Sequence, residues 1–173
     1  MKTVVIYKSN TGFTKKYAEW IAEELSADTF DIAGITADNL VPYDAVVYGG
    51  SLYATGITGI KFIKRNLDML KDKKVVVFAT GATPAGEETI REMRDRNFTP
   101  EQQKHIKFFY FRGGFNYDKL KPFDKFLATL MKWMLKRKKE LTPDERVILA
   151  AIDNPVDFTD RKYIGEIVAY VNS

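Results

Sequence analysis

The chain has 173 residues, no cysteine and one histidine, His105, with 27 basic side chains against 23 acidic ones for a net charge of +4. That length suits one sizeable core, taken here as a single domain over residues 1–173. The missing thiols exclude disulfides, thiolate zinc sites, cysteinyl iron–sulfur clusters and thiol redox chemistry, so any redox chemistry needs an organic cofactor. The N-terminus runs directly into an apolar strand with no secretory leader pattern, and no apolar run approaches the ~20 residues that span a bilayer. The expected location is cytoplasmic.

Thr3-Val4-Val5-Ile6-Tyr7 reads as a buried parallel strand, because β-branched and aromatic residues follow one another without polar alternation. After Gly12 the period changes. Phe13, Tyr17, Trp20, Ile21 and Leu25 recur at helical spacing. Between strand and helix lies Ser9-Asn10-Thr11-Gly12-Phe13-Thr14, a turn of hydroxyls, an amide and one glycine. Such a turn aims backbone N–H groups and the positive end of a helix dipole at one spot, which suits a phosphate. It lacks both the Gly-Lys-Ser/Thr of a Walker loop and the Gly-x-Gly-x-x-Gly of a dinucleotide fold. A phosphomonoester held by amides and hydroxyls, without a cation inside the loop, fits it better.

Asp28-Thr29-Phe30-Asp31-Ile32 predicts a short second strand at an edge, and Tyr43 to Tyr48 a third, stopped by Gly49-Gly50. A loop of small residues around Tyr53 follows, then a helix with Ile60, Ile63, Leu67 and Leu70 on one face. Lys74 to Ala79 is the most apolar and most central strand, ending in Thr80-Gly81-Ala82-Thr83-Pro84-Ala85-Gly86. A helix over Glu87 to Arg96 opens on two acids, as its dipole prefers. Ile106 to Phe111 is the fifth strand, closed by Gly113-Gly114. A last helix runs from about Asp160 to Val171 with Thr159 as N-cap.

Five strands alternating with helices predict an α/β fold: a doubly wound five-stranded parallel sheet of order 2-1-3-4-5, with a helical insertion after the fifth strand at about residues 115–142. The loops 9–14, 50–56 and 80–86 would then meet beyond the strand ends at the switch point, where such sheets bind ligands.

The hexapeptide Ser9-Asn10-Thr11-Gly12-Phe13-Thr14 resembles the Thr/Ser-x-Thr-Gly-x-Thr phosphate loop of flavodoxin-like proteins, and the resemblance covers nearly the whole chain. It implies FMN as cofactor, with its phosphate on Ser9, Asn10, Thr11, Gly12, Phe13 and Thr14. Ser51, Leu52, Tyr53, Ala54 and Thr55 would line one side of the isoalloxazine, and Thr80, Gly81, Ala82 and Thr83 the other. One departure stands out. Carrier flavodoxins sandwich the ring between aromatics from both loops, whereas only Tyr53 is available here. An open ring face would suit a stacked substrate.

The run Gly113 to Leu120 leading into Phe123-Asp124-Lys125-Phe126 is further similar to the menaquinone-dependent protoporphyrinogen oxidase-type proteins of that family. That likeness implies an oxidoreductase acting on a quinone or porphyrinogen. The alternatives are an electron carrier docking to redox partner proteins and a cofactor-free binding module. With the flavin carrying the chemistry, no side chain is expected to be catalytic.

Residues 118–139 hold eight of the basic residues against Asp118 and Asp124, a net +6 that leaves −2 for the rest of the chain. At 100° per residue, Phe123, Phe126, Leu127, Leu130, Met131, Trp133, Met134 and Leu135 fill about 200° of a helix, with Lys125, Lys132, Lys136 and Lys139 opposite. Two readings follow: a helix seated in a groove on the sheet, or a peripheral contact of segment 118–140 with a membrane's inner face or an apolar partner. The apolar face is too broad for a phosphate-tracking helix, so no nucleic acid is expected. Phe115 and Tyr117 could close the pocket or anchor the insertion, and Arg112 is a candidate for meeting an anionic substrate.

Overall fold

Three valine-rich stretches organise the molecule. A computed structural model describes residues 1–53 and 56–173. In it β1 (Thr3–Lys8), β3 (Ala45–Tyr53) and β5 (Lys74–Gly81) lie side by side and parallel, with Val5, Val47 and Val76 in one row. β2 (Asp28–Asp31) flanks β1, and β6 (Ile106–Arg112) flanks β5. The parallel order β2-β1-β3-β5-β6 is the predicted 2-1-3-4-5 once a short antiparallel strand, β4 (Gly56–Ile57), is counted beside β3.

Strand alternation sends successive side chains to opposite faces, and both faces are covered. Val4, Ile6, Val46, Tyr48, Val75 and Val77 join Ile63 of α2 (Lys61–Asn66), and Ile90 and Met93 of α3 (Glu87–Asn97) pack on this layer. Val5, Val47, Val76 and Phe78 meet Tyr17 and Ile21 of α1 (Phe13–Leu25) on the other face. The short helix α4 (Pro100–Gln103) leads into β6.

β3 does not stop at Gly49-Gly50. It continues to Tyr53, because those glycines answer to packing: a Cβ on Gly49 would overlap the Phe78 ring, and one on Gly50 would overlap Ile57 and the Thr58 carbonyl.

Beyond β6 the chain leaves the sheet. It forms β7 (Gly114–Phe115), a tight turn over Tyr117–Lys119, α5 (Pro122–Arg137) and α6 (Pro143–Asp153), then β8 (Val156–Asp157), which pairs antiparallel with β7. The excursion therefore closes at Asp157, later than the expected 142. Its second helix begins with a capping box and a proline, Thr142-Pro143 with Glu145: Thr142 Oγ1 accepts from the Glu145 N–H, and the Glu145 carboxylate accepts from the Thr142 N–H.

The C-terminal helix also starts differently from expectation. Asp160, not Thr159, caps a turn over Arg161–Ile164 by accepting from the Lys162 N–H, and α7 (Gly165–Asn172) follows. Thr159 instead donates its hydroxyl to Asp157. Ile167 and Val171 of α7 complete the core beside α1.

Candidate FMN site

The phosphate loop takes its shape from one residue. Gly12 sits at φ +98°, a left-handed conformation that favours glycine, and its N–H donates to Ser9 Oγ at 3.0 Å. The first hydrogen bond that α1 makes back to the loop runs from the Lys16 N–H to the Gly12 carbonyl. No side chain caps the helix start, and its first turn holds no acid. The amides of Phe13, Thr14 and Lys15 thus keep their donors for an anion.

Thr14 ties this loop to the other two. Its side chain is fully buried, with its hydroxyl 2.8 Å from Ser51 Oγ and 2.6 Å from Thr80 Oγ1. One threonine thereby joins the ends of β3 and β5 to the start of α1. Thr14 lies beneath the surface on which a ligand would rest; Ser9 and Gly12 shape the turn at its rim, and Thr83 lines a neighbouring recess.

A cavity of about 560 Å³ opens where the three loops meet. That falls within the ~300–1,000 Å³ usual for cofactor and ligand clefts. Of the residues singled out from sequence, Asn10, Thr11, Phe13, Ser51, Leu52, Tyr53, Thr80, Gly81 and Ala82 line it. Ala54 and Thr55 lie outside the described residues.

The remaining wall was not anticipated. It comes from the excursion: Lys119, Leu120, Lys121, Asp124, Leu127, Ala128 and Met131. Lys119 supplies a cation that the loop lacks, with Nζ 3.9 Å from where a Cβ on Gly12 would stand. No local pattern could have placed it there, since the contact spans more than a hundred residues and depends on where the excursion folds back. Asp124 accepts a hydrogen bond from the Tyr53 hydroxyl, which raises the phenol's pKa above its usual value. Tyr53 itself is 49% exposed, so its ring is free to meet a ligand at the cavity mouth.

Phe115 and Tyr117 part company. Phe115 lines the cavity, whereas the Tyr117 hydroxyl bonds Thr129 Oγ1 at 2.9 Å and so anchors α5. Arg112 belongs to a neighbouring recess of about 190 Å³, separated by Ala82 and Phe115. Its guanidinium lies 3.5 Å over the Phe158 ring and its Nε donates to the Ala82 carbonyl. Behind the site, Tyr17 donates to the Arg112 carbonyl at 2.7 Å, and burial pushes its phenol up to about 12.

Residues 4–142 match the model of the flavodoxin domain. The chain belongs to that family. FMN is its cofactor, and the uncapped amides of α1 and the nearby Lys119 fit the phosphate of that molecule. The chain is also 32% identical over 100 residues to an uncharacterized protein of Methanocaldococcus jannaschii, a match covering 56% of this chain and 65% of that relative's length. Among solved structures it is similar to the two-electron reduced flavodoxin of Megasphaera elsdenii. That similarity has TM-score 0.49 and 17% identity, covering 62% of this chain and 82% of the other. A flavoprotein from Lactobacillus acidophilus, solved in complex with FMN, is similar with TM-score 0.43 and 19% identity over 64% of this chain and 91% of its own.

Proposed function

We propose that this flavodoxin domain is an FMN-dependent oxidoreductase acting on a planar, weakly polar substrate, a quinone or a porphyrinogen. The observation that carries the reading is the wall that the excursion adds to the cavity: Leu127, Ala128 and Met131 of α5 face the ends of β3 and β5 across it. A cofactor site alone needs no such apolar wall, and a second flat molecule beside the cofactor does. FMN, when bound, supplies the electron chemistry, and the protein supplies binding, orientation and electrostatics.

Each group in the site then has a task. The α1 amides and Lys119 would hold the phosphate. Thr14, through Ser51 and Thr80, fixes the spacing of the two loops that would receive the ring. Tyr53, tethered to Asp124, would meet the ring from the mouth, and Leu127 and Met131 would exclude water from the substrate side.

The reading is tested by adding porphyrinogen and a naphthoquinone to purified, FMN-loaded protein and following porphyrin fluorescence. Turnover that falls when Met131→Lys places a charge in the apolar wall supports it. FMN-loaded protein that turns over neither compound, and exchanges electrons only with a partner protein, would make the domain a carrier instead. The exposed basic segment beside the cavity mouth is the feature that favours that second reading.

A further inference from the structure

α5 is seated back to front for a core helix. Its buried side chains are Ala128 and Leu135. Its large apolar residues point away from the body, with Phe123 65%, Phe126 63%, Met134 60% and Trp133 52% exposed, and Leu130 beside them. Monomeric proteins seldom leave so continuous an apolar face in water. We propose that this face docks on an anionic phospholipid bilayer, lying in the interface parallel to the membrane.

Charge decides the occupant. Asp124, the acid in the first turn of α5, is turned into the cavity and accepts from Tyr53. Two lysines of the segment are neutralised within the excursion, Lys132 by Asp153 and Lys138 by Glu145. What remains at the two ends of α5 is mostly basic: Lys121 at its start, and Lys136, Arg137 and Lys139 against Glu140 at its end, with Arg137 beside the apolar face and Lys136 and Lys139 on the opposite one. Arg137 lies 3.7 Å over the Trp133 ring, a cation on an amphipathic aromatic of the kind found at head-group level.

Apolar residues flanked by cations match anionic head groups over an acyl region. A second copy of the chain would instead bring together two segments that each keep +4 once Lys132 and Lys138 are paired with Asp153 and Glu145, which like-charge repulsion opposes. No helix among the described residues is long and apolar enough to cross a membrane, so the contact is peripheral.

The face is also continuous with the cavity. Leu127 and Met131 are exposed on the same helix and line the pocket. A docked protein would therefore present its cavity mouth to the lipid, and a membrane-dissolved planar molecule would reach it without crossing water. The docking itself does not depend on the cofactor and holds for FMN-free protein too.

The test is co-sedimentation of the full chain with vesicles of phosphatidylcholine alone or with roughly one-third phosphatidylglycerol, together with the emission of Trp133 in a Trp20→Phe background. Binding to the anionic vesicles with a blue shift is expected, weakened about tenfold or more by Phe126→Ser with Leu130→Ser. Lys136→Gln with Arg137→Gln should weaken it by about fivefold per charge removed. Both pairs leave the cavity lining intact, and unchanged melting temperatures would show that they leave the fold intact. The proposal is overturned if wild-type protein stays in the supernatant, or if the Phe126/Leu130 variant binds as well as the parent. It is equally overturned if the face proves to be covered by a second copy, seen as a dimer in sedimentation velocity that the same variant dissolves.

Discussion

The central strands and α5 draw on a similar apolar alphabet and put it to opposite use. Val4, Val5, Ile6, Val46, Val47 and Val76 are fully buried between two layers of helices, while Phe123, Phe126, Trp133 and Met134 face outward. Hydrophobicity alone therefore does not say where a residue goes in this chain. What separates the two regions is the presence of a partner. The strands have neighbours on both sides and helices on both faces, whereas α5 rests on the body through one small and one medium side chain. One region builds the fold, and the other builds a surface beside the ligand cavity.

Substitutions can press on that difference from each side. The largest effect belongs to the loop between them. Gly12→Glu would place a carboxylate where the phosphate belongs and force a non-glycine residue to φ +98°. FMN affinity measured by flavin fluorescence quenching should fall by about a hundredfold or more, since like-charge repulsion and loop strain together exceed ~2.7 kcal/mol.

Next comes a paired measurement that contrasts core with surface. Gly49→Val drives two methyl groups into the Phe78 ring and should cost about 3 kcal/mol in urea unfolding. Phe126→Ser should change stability by no more than about 0.5 kcal/mol, because an exposed side chain has little folding energy to lose. A large loss from Phe126→Ser would mean that α5 is part of the core after all.

Tyr17 tests the buried scaffold through pH. Its phenol titrates at about 12 when folded against the usual value near 10 when unfolded, so the unfolded state loses its proton first. The stabilising contribution is whole below pH 10 and declines as pH rises through 12, by about 2 kcal/mol in all. Tyr17→Phe should remove that alkaline step. At neutral pH it should cost ~1 kcal/mol, for the hydrogen bond lost to the Arg112 carbonyl.

The smallest effect sharpens the link between the regions. Lys119→Gln removes the excursion's cation from the phosphate loop and should weaken FMN by roughly fivefold, about 1 kcal/mol for an exposed charge. Riboflavin affinity should not move, and raising the salt should shrink the difference.

The sheet was legible because its signals are local. Unbroken runs such as Val75-Val76-Val77 and the change of period at Phe13 locate strands and helices without knowledge of neighbours. The three loops could be brought together because strand order fixes which ends converge. Gly49-Gly50 misled for the same reason: a glycine demanded by a ring stacked across it looks, in sequence, like one that ends a strand. The capping boxes at Thr142 and Thr99 are local signals of the same kind for α6 and α4, helices that the strand and helix periods did not single out. Lys119, Asp124 and Met131 were not readable as site residues, because their place depends on the route the excursion takes back over the cavity. The direction of α5's apolar arc was undecidable for a related reason, since periodicity defines a face but not what lies against it.

Comparative titration of the purified protein with FMN and riboflavin isolates the contribution of the phosphate loop, since the two share a ring and differ in the phosphate. Binding of one FMN per chain, at least about a hundredfold tighter than riboflavin, is the predicted result. Equal affinity for the two, or no flavin bound at all, would contradict a phosphate cradled by the start of α1.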